Sequence, residues 1–472
     1  MPLYKELPSK RGQFFIIGIK QSTANRSIFE NGWLIYNEVI VQEENMFNKI
    51  RFVFFLSLIV AILVACGGPS KPVITSTLQV KPLTAGALPD LPAASIVRHP
   101  PRVDYSSINP HPTSLPKLDP NSTDPFQIDF RSSDLTSLDL SQSMDVLRFA
   151  NFDSQTRWPP ANKLPAGFSI QQTMEMGKDP GLGIRDLHAK GITGRGVGIA
   201  IIDQPLLVDH REYTNQLRVY EEGEDVTRDW LNATLLGAAV ASIAVGITVG
   251  VAPEADLYFI AMGDCGGATS NQNFNFTCLA KDVLRIISIN QGLPENRKIR
   301  VLSLSIGWKP QQKGYQAITA AVNKAKAAGI FVVSSGISDT YGFNFQGLGR
   351  DLQSDPNQFG SYLPGFVWAQ DFYNGKYKLN KTLLIPMDAR TTASPTGFND
   401  YAFYGEGGRS WSIPYIAGMY ALAWQVDPGI SPQKFWSTAL QTGRTTQIEH
   451  NGKPYSFGVI LDPQALIAAI QK

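Results

Sequence analysis

From residue 197 to the C-terminus, short apolar runs alternate with longer segments whose apolar positions recur at helical spacing. Residues 197–203, 256–262, 300–305 and 331–335 read as strands, and 231–245, 280–291 and 316–328 as the helices between them. The strands are apolar throughout rather than at every second position, which implies burial on both faces. The pattern predicts an α/β fold: a central, mostly parallel sheet with helices on both faces, in three layers. Residues 338–380, aromatic and rich in Asn and Gly with little periodicity, are expected to form long surface loops.

One apolar run has an unusual opening. Gly408-Arg409-Ser410-Trp411-Ser412-Ile413-Pro414 reads as a tight turn leading into a buried helix, with Ser410 at its N-terminus. Unpaired main-chain N–H groups and the positive end of the helix dipole stabilise an alkoxide there. A serine in that place is either a nucleophile or a helix cap.

The pattern upstream is different. Residues 46–66 begin basic, run apolar for about a dozen residues and end Leu63-Val64-Ala65-Cys66. This is a secretory signal pattern, too short for a comfortable membrane span. Its ending resembles the lipobox of bacterial lipoproteins, which implies cleavage before Cys66, a lipid anchor on that residue and a chain held outside the cytoplasm on the cell membrane. On this reading Met46 is the start and residues 1–45 are a gene-model extension. Residues 67–125 hold 12 of the 31 prolines among Ser and Thr, and are expected to be a spacer. A five-residue beat follows in 126–157: Asp129-Phe130, Asp134-Leu135, Asp139-Leu140. Three such units are too few for a solenoid, so they are expected to form a short strand-like collar packed on the main domain, residues 158–472.

Composition narrows the function. With 43% hydrophobic and 17% charged residues and a net charge of +2, the 472-residue chain gives no case for nucleic acid as a partner. Three cysteines exclude a disulfide scaffold and a multi-cysteine zinc site. Cys265 and Cys278 bracket a polar loop and are either disulfide-bonded or free.

Three segments taken together resemble the subtilases, the subtilisin-like serine peptidases. The first is Gly194-Arg195-Gly196-Val197-Gly198-Ile199-Ala200-Ile201-Ile202-Asp203, with His210 downstream. The second is Leu236-Gly237-Ala238-Ala239-Val240-Ala241-Ser242, followed by Gly250-Val251-Ala252-Pro253. The third is the run around Ser410. The resemblance places Asp203 on the family's imidazole-orienting Asp and Ser410 on its nucleophile. Leu236 falls on the catalytic His and Ile337 on the Asn that donates to the oxyanion. Ser305 and Gly307, in Ser305-Ile306-Gly307, fall on the strand that takes an extended peptide by main-chain hydrogen bonds. No cofactor is implied; structural calcium is common in the family, but no acidic cluster here has clear ligand spacing.

Leu236 cannot take a proton and Ile337 has no donor. The leading expectation is therefore a lipid-anchored pseudopeptidase that binds a peptide or protein partner. The alternatives are an active serine endopeptidase with an unusual or reduced triad, His210 being one candidate base, and an envelope protein that keeps the sheet only for stability.

Overall fold

The computed structural model describes residues 94–105, 111–119, 126–224, 226, 231–263, 274–379 and 381–471. All belong to one compact unit. The expected extension, the signal with Cys66, most of the spacer, and Cys265 lie outside the described residues.

In chain order the elements are β1 (Ser95–Ile96), α1 (Met144–Leu147), β2 (Asn151–Asp153), α2 (Ile170–Lys178), α3 (Ile184–Ala189), β3 (Gly198–Asp203), β4 (Leu217–Glu222), α4 (Leu235–Val245), β5 (Asp256–Ala261) and α5 (Thr277–Gly292). Then come β6 (Ile299–Leu304), α6 (Tyr315–Ala327), β7 (Phe331–Ser334), α7 (Ile337–Tyr341), β8 (Asn344–Arg350), β9 (Tyr362–Pro364) and α8 (Phe366–Tyr373). The chain ends with β10 (Thr382–Pro386), β11 (Arg390–Ala393), β12 (Tyr401–Tyr404), α9 (Arg409–Val426), α10 (Pro432–Thr442), β13 (Arg444–His450), β14 (Lys453–Ile460) and α11 (Pro463–Ile470).

The six-stranded sheet, ordered β1-β4-β5-β3-β6-β7, is parallel throughout. Alternation along its strands divides the core in two. Ile199, Ile201, Leu257, Phe259, Val301 and Val333 pack with α4 and α9, whereas Ala200, Ile202, Tyr258, Ile260, Leu302 and Val332 pack with α5 and α6. Helices α4 and α9 are buried almost all round. That is the environment their unbroken apolar sequence calls for.

Two expectations need correction. Residues 338–380 are not surface loops: they contribute α7, β8, β9 and α8, and β8 and β9 belong to a second sheet ordered β13-β14-β10-β8-β9. Phe345, Leu348, Tyr362 and Trp368 are buried in the main core. Gly347 and Gly349 hide the strand from a periodicity reading, yet they are required, because a Cβ on Gly347 would stand 2.1 Å from the Met387 sulfur. Nor is the proline-rich stretch spacer throughout. Within it, β1 pairs with β4 at the sheet edge, Arg98 forms an ion pair with Glu222, and the Ala233 and Val103 N–H groups donate to the Pro101 and Pro395 carbonyls, respectively. A short edge strand tolerates prolines just beyond it.

The five-residue beat folds as a coil touched by isolated bridges, not as the expected strand-like collar, because each turn is closed locally. Phe130, Leu135 and Leu140 are buried, and their N–H groups donate to the carbonyls of Asn151, Arg157 and Lys163 at 2.7, 2.7 and 2.8 Å. Asp129, Asp134 and Asp139 each accept from the N–H two residues on, at 3.2, 3.0 and 3.0 Å, so every turn is closed by its own aspartate. Strand β2 then pairs antiparallel with β12, the strand that leads to Ser410.

Candidate active site

Asp203 ends β3, the strand flanked by β5 and β6. Its carboxylate is buried and accepts from the Gln204 N–H at 2.8 Å and from the Ser305 hydroxyl. Burial pushes it up to about 7 against those two hydrogen bonds. Ser305 follows β6, and its Oγ lies 3.4 Å from the Ser410 carbonyl oxygen. Pro414 explains why that carbonyl is open to it. Pro414 lies four residues on within α9 and has no N–H, so the helical bond that would close on Ser410 is not made. Ser305 thus joins Asp203 to the first turn of the Ser410 helix.

Helix α4 is tied to the same place. Thr234 caps it, its Oγ1 accepting from the Gly237 N–H at 3.0 Å and donating to the Pro205 carbonyl at 3.2 Å. A Cβ on Gly237 would stand 2.4 Å from the Gln204 carbonyl oxygen, so only glycine lets the helix lie on the turn after Asp203. Leu236, second residue of this helix, is half-buried and packs on the core. On the other side, a Cβ on Gly418 of α9 would meet Val251 at 2.6 Å, which brings the second and third motifs into direct packing.

Gly307 lies against Gly336, where an added Cβ would stand 3.2 Å from the Gly336 nitrogen. Ile337 begins α7 and is fully buried. The structure therefore gathers Asp203, Ser305 and Ser410 through contacts, with Leu236 on the helix held to the turn after Asp203.

All five histidines are engaged elsewhere. His210 is fully buried; its Nε2 donates to the Asp400 carbonyl at 2.8 Å and its Nδ1 accepts from the Glu212 N–H at 3.2 Å. Burial holds it below the usual imidazole range. With both ring nitrogens held by main chain, it fastens a loop and does not serve Ser410. His188 donates to the Val251 carbonyl, His99 pairs with Asp209, His111 lies 3.4 Å from Asp134, and His450 stacks on Tyr373. Arg409 turns away from the site as well: its guanidinium lies 4.2 Å from the centre of the Phe345 ring and donates to the Phe345 carbonyl, and burial pulls it down to about 9.

Two buried carboxyl groups beside the Ser410 turn escaped the sequence reading. Asp388 accepts from the Phe366 and Gly407 N–H groups at 2.9 and 2.8 Å, and burial pushes it up to about 7. Burial and then the Asp388 charge hold Glu406 well above the usual carboxylate range. Glu406 stands four residues before Ser410, a positional signal that could have been followed; Asp388 had none. Among the described residues, no group of three or more His, Cys, Asp or Glu could hold a metal, and no helix is long and apolar enough to cross a membrane.

The order and contacts of these segments agree with the chain's sequence relationships. A sequence model of the subtilase family, Peptidase S8, matches residues 194–357. Over these residues the chain is similar to the subtilases. The matched span includes Asp203, Leu236, Ser305, Gly307 and Ile337, while Ser410 lies beyond it and is joined to the others through Ser305. Two solved structures are similar. The prenylagaramide maturation protease PagA is 14% identical over 61% of this chain and 98% of its own, with a TM-score of 0.41. A cold-adapted subtilisin-like serine proteinase is 17% identical over 53% of this chain and 83% of its own, with a TM-score of 0.37.

Proposed function

We propose that this subtilase homologue is a catalytically impaired peptidase that binds an extended peptide or a protein partner along Ser305–Gly307. The observation that carries the reading is Leu236: on the helix held to the turn after Asp203, an aliphatic side chain stands at the position that the motif resemblance gives to the general base. A serine hydroxyl without a base is a weak nucleophile. Removing that base from subtilisin itself costs about a million-fold in turnover. Ile337 adds to the loss, since a buried aliphatic chain offers no donor to an oxyanion. A peptide adding by main-chain hydrogen bonds needs neither group.

On this reading Cys66 carries a lipid anchor that holds the domain on the outer side of the bacterial cell membrane. Cys66→Ser is expected to move the protein from the membrane fraction to the soluble fraction.

The deciding experiment compares the native chain with Ser410→Ala against a peptide library, reading both cleavage and binding. Equal binding and no cleavage by either form is the expected result. Turnover by the native chain that Ser410→Ala abolishes would establish the active endopeptidase instead.

A further inference from the structure

Five residues along α9 from Ser410 lies a buried polar nest with more donors than acceptors. Arg390 opens β11 and is 3% exposed. Its Nη2 donates to the Val249 carbonyl at 3.3 Å, whereas Nε and Nη1 reach no acceptor among the described residues. Tyr415 on α9 is fully buried, and its hydroxyl likewise has no partner among the described residues. The Arg390 guanidinium lies 5.6 Å from the centre of the Tyr415 ring.

The surroundings do not neutralise this charge. Arg350, also buried, acts on Arg390 as a second cation and has its own donors on the carbonyls of Asp351, Ser354 and Ala389. The Tyr362 hydroxyl donates to the Pro356 carbonyl at 2.7 Å. Asp179 is the carboxylate whose field reaches Arg390. It is already engaged by the Gly181 N–H, the Asn357 amide and, at 3.5 Å, Arg185.

An arginine does not shed its proton to escape burial. Three donors without acceptors around a fixed positive charge call for an acceptor that carries negative charge. A water molecule fits less well, because it brings two donors of its own and no charge. Arg390, Arg350, Tyr362 and Tyr415 are all buried, which favours a small ion over a larger anion.

We propose that Arg390 Nε and Nη1 and the Tyr415 hydroxyl bind a halide-sized anion that fastens α9 to β11 beneath the Ser410 turn.

The test uses the full chain. Thermal unfolding is followed in sodium bromide or chloride against sodium methanesulfonate at equal ionic strength, and crystals grown with bromide are measured at its absorption edge. Saturable stabilisation is expected, the folded-to-unfolded ratio rising about elevenfold at ten times the dissociation constant, with an anomalous peak at the Arg390 guanidinium. Tyr415→Phe should weaken the halide effect and Arg390→Met abolish it. Stability indifferent to the halide together with no anomalous peak means a buried water and overturns the proposal. Should Arg390→Met fail to fold, the bromide peak in the native crystal decides alone.

Discussion

Restoring an imidazole at position 236 tests the reading of the site most directly. In Leu236→His the new side chain stands in the first turn of α4, on the helix that Gly237 lets lie against the turn after Asp203. The helix N-terminus disfavours the imidazolium and keeps the ring a base at neutral pH. Asp203, now near half-ionised at about pH 7, gains a ring N–H that can donate to its carboxylate, so its carboxyl should fall toward the usual range. A general base is worth about a million-fold, or about 8 kcal/mol of transition-state stabilisation. The missing oxyanion donor at Ile337 withholds about a hundred- to a thousand-fold of that. The single replacement should therefore raise Ser410-dependent turnover by about 10³- to 10⁴-fold.

Repairing Ile337 at the same time would confuse the result. That side chain is fully buried, and an amide without partners costs about 1–3 kcal/mol there. The assay is labelling of Ser410 by a fluorophosphonate, located by mass spectrometry, alongside peptide hydrolysis, with Leu236→His/Ser410→Ala as the control. A folded Leu236→His chain that labels and cleaves no faster than the native protein would refute the reading of position 236 as the place of the missing base.

Three further outcomes follow from the geometry. Gly237→Ala should destabilise by about 1–3 kcal/mol despite alanine's better helix propensity, because its Cβ would press on the Gln204 and Pro205 carbonyls; a raised melting temperature would refute the close approach of α4. Ser305→Ala removes one of the two hydrogen bonds to the Asp203 carboxylate, so the Asp203 pKa should rise further, as followed by carbon NMR titration; an unmoved titration would disconnect Ser305 from Asp203. Glu406 takes up its proton more readily folded than unfolded, so it lowers stability as pH climbs from the ordinary carboxylate range and contributes a constant penalty once it ionises in the fold. Glu406→Gln should accordingly raise the melting temperature more at pH 8 than at pH 5, and an equal effect at both would contradict the buried charge.

The parallel sheet was legible because burial on both faces writes itself as unbroken apolar runs, and strands β3, β5, β6 and β7 lie where those runs predicted. The five-residue beat was visible for a local reason, each Asp closing its own turn two residues on, but that the turns stack as a coil and not as strands was not. The second sheet was not legible either. Its strand β8 carries Gly347 and Gly349 to admit Met387 and the Pro364 carbonyl, and a strand defined by what presses against it has no period of its own. The docking of residues 94–105 was hidden similarly, because β1 takes its pairing from β4 and Arg98 its partner from Glu222, over a hundred residues away.

The same distinction holds at the site. Asp203, Ser410, Leu236 and Ile337 announce themselves through local motifs, but what joins them is not local: Pro414 leaves the Ser410 carbonyl open, and Ser305 reaches it from another strand. That contact bears on what the site can do. Ser305 has one proton to donate and two acceptors in reach, the Asp203 carboxylate and the Ser410 carbonyl. While Asp203 is ionised, its charge claims the proton; once Asp203 is protonated, the hydroxyl is released to the helix turn. With burial pushing the Asp203 carboxyl up to about 7, the acceptor that takes the Ser305 proton is expected to change near neutral pH. A site specialised for hydrolysis keeps its Asp charged through an imidazolium partner. The groups that hold Asp203 here are a serine hydroxyl and a main-chain N–H, which can keep a turn in place for a bound strand, the role proposed above for this site.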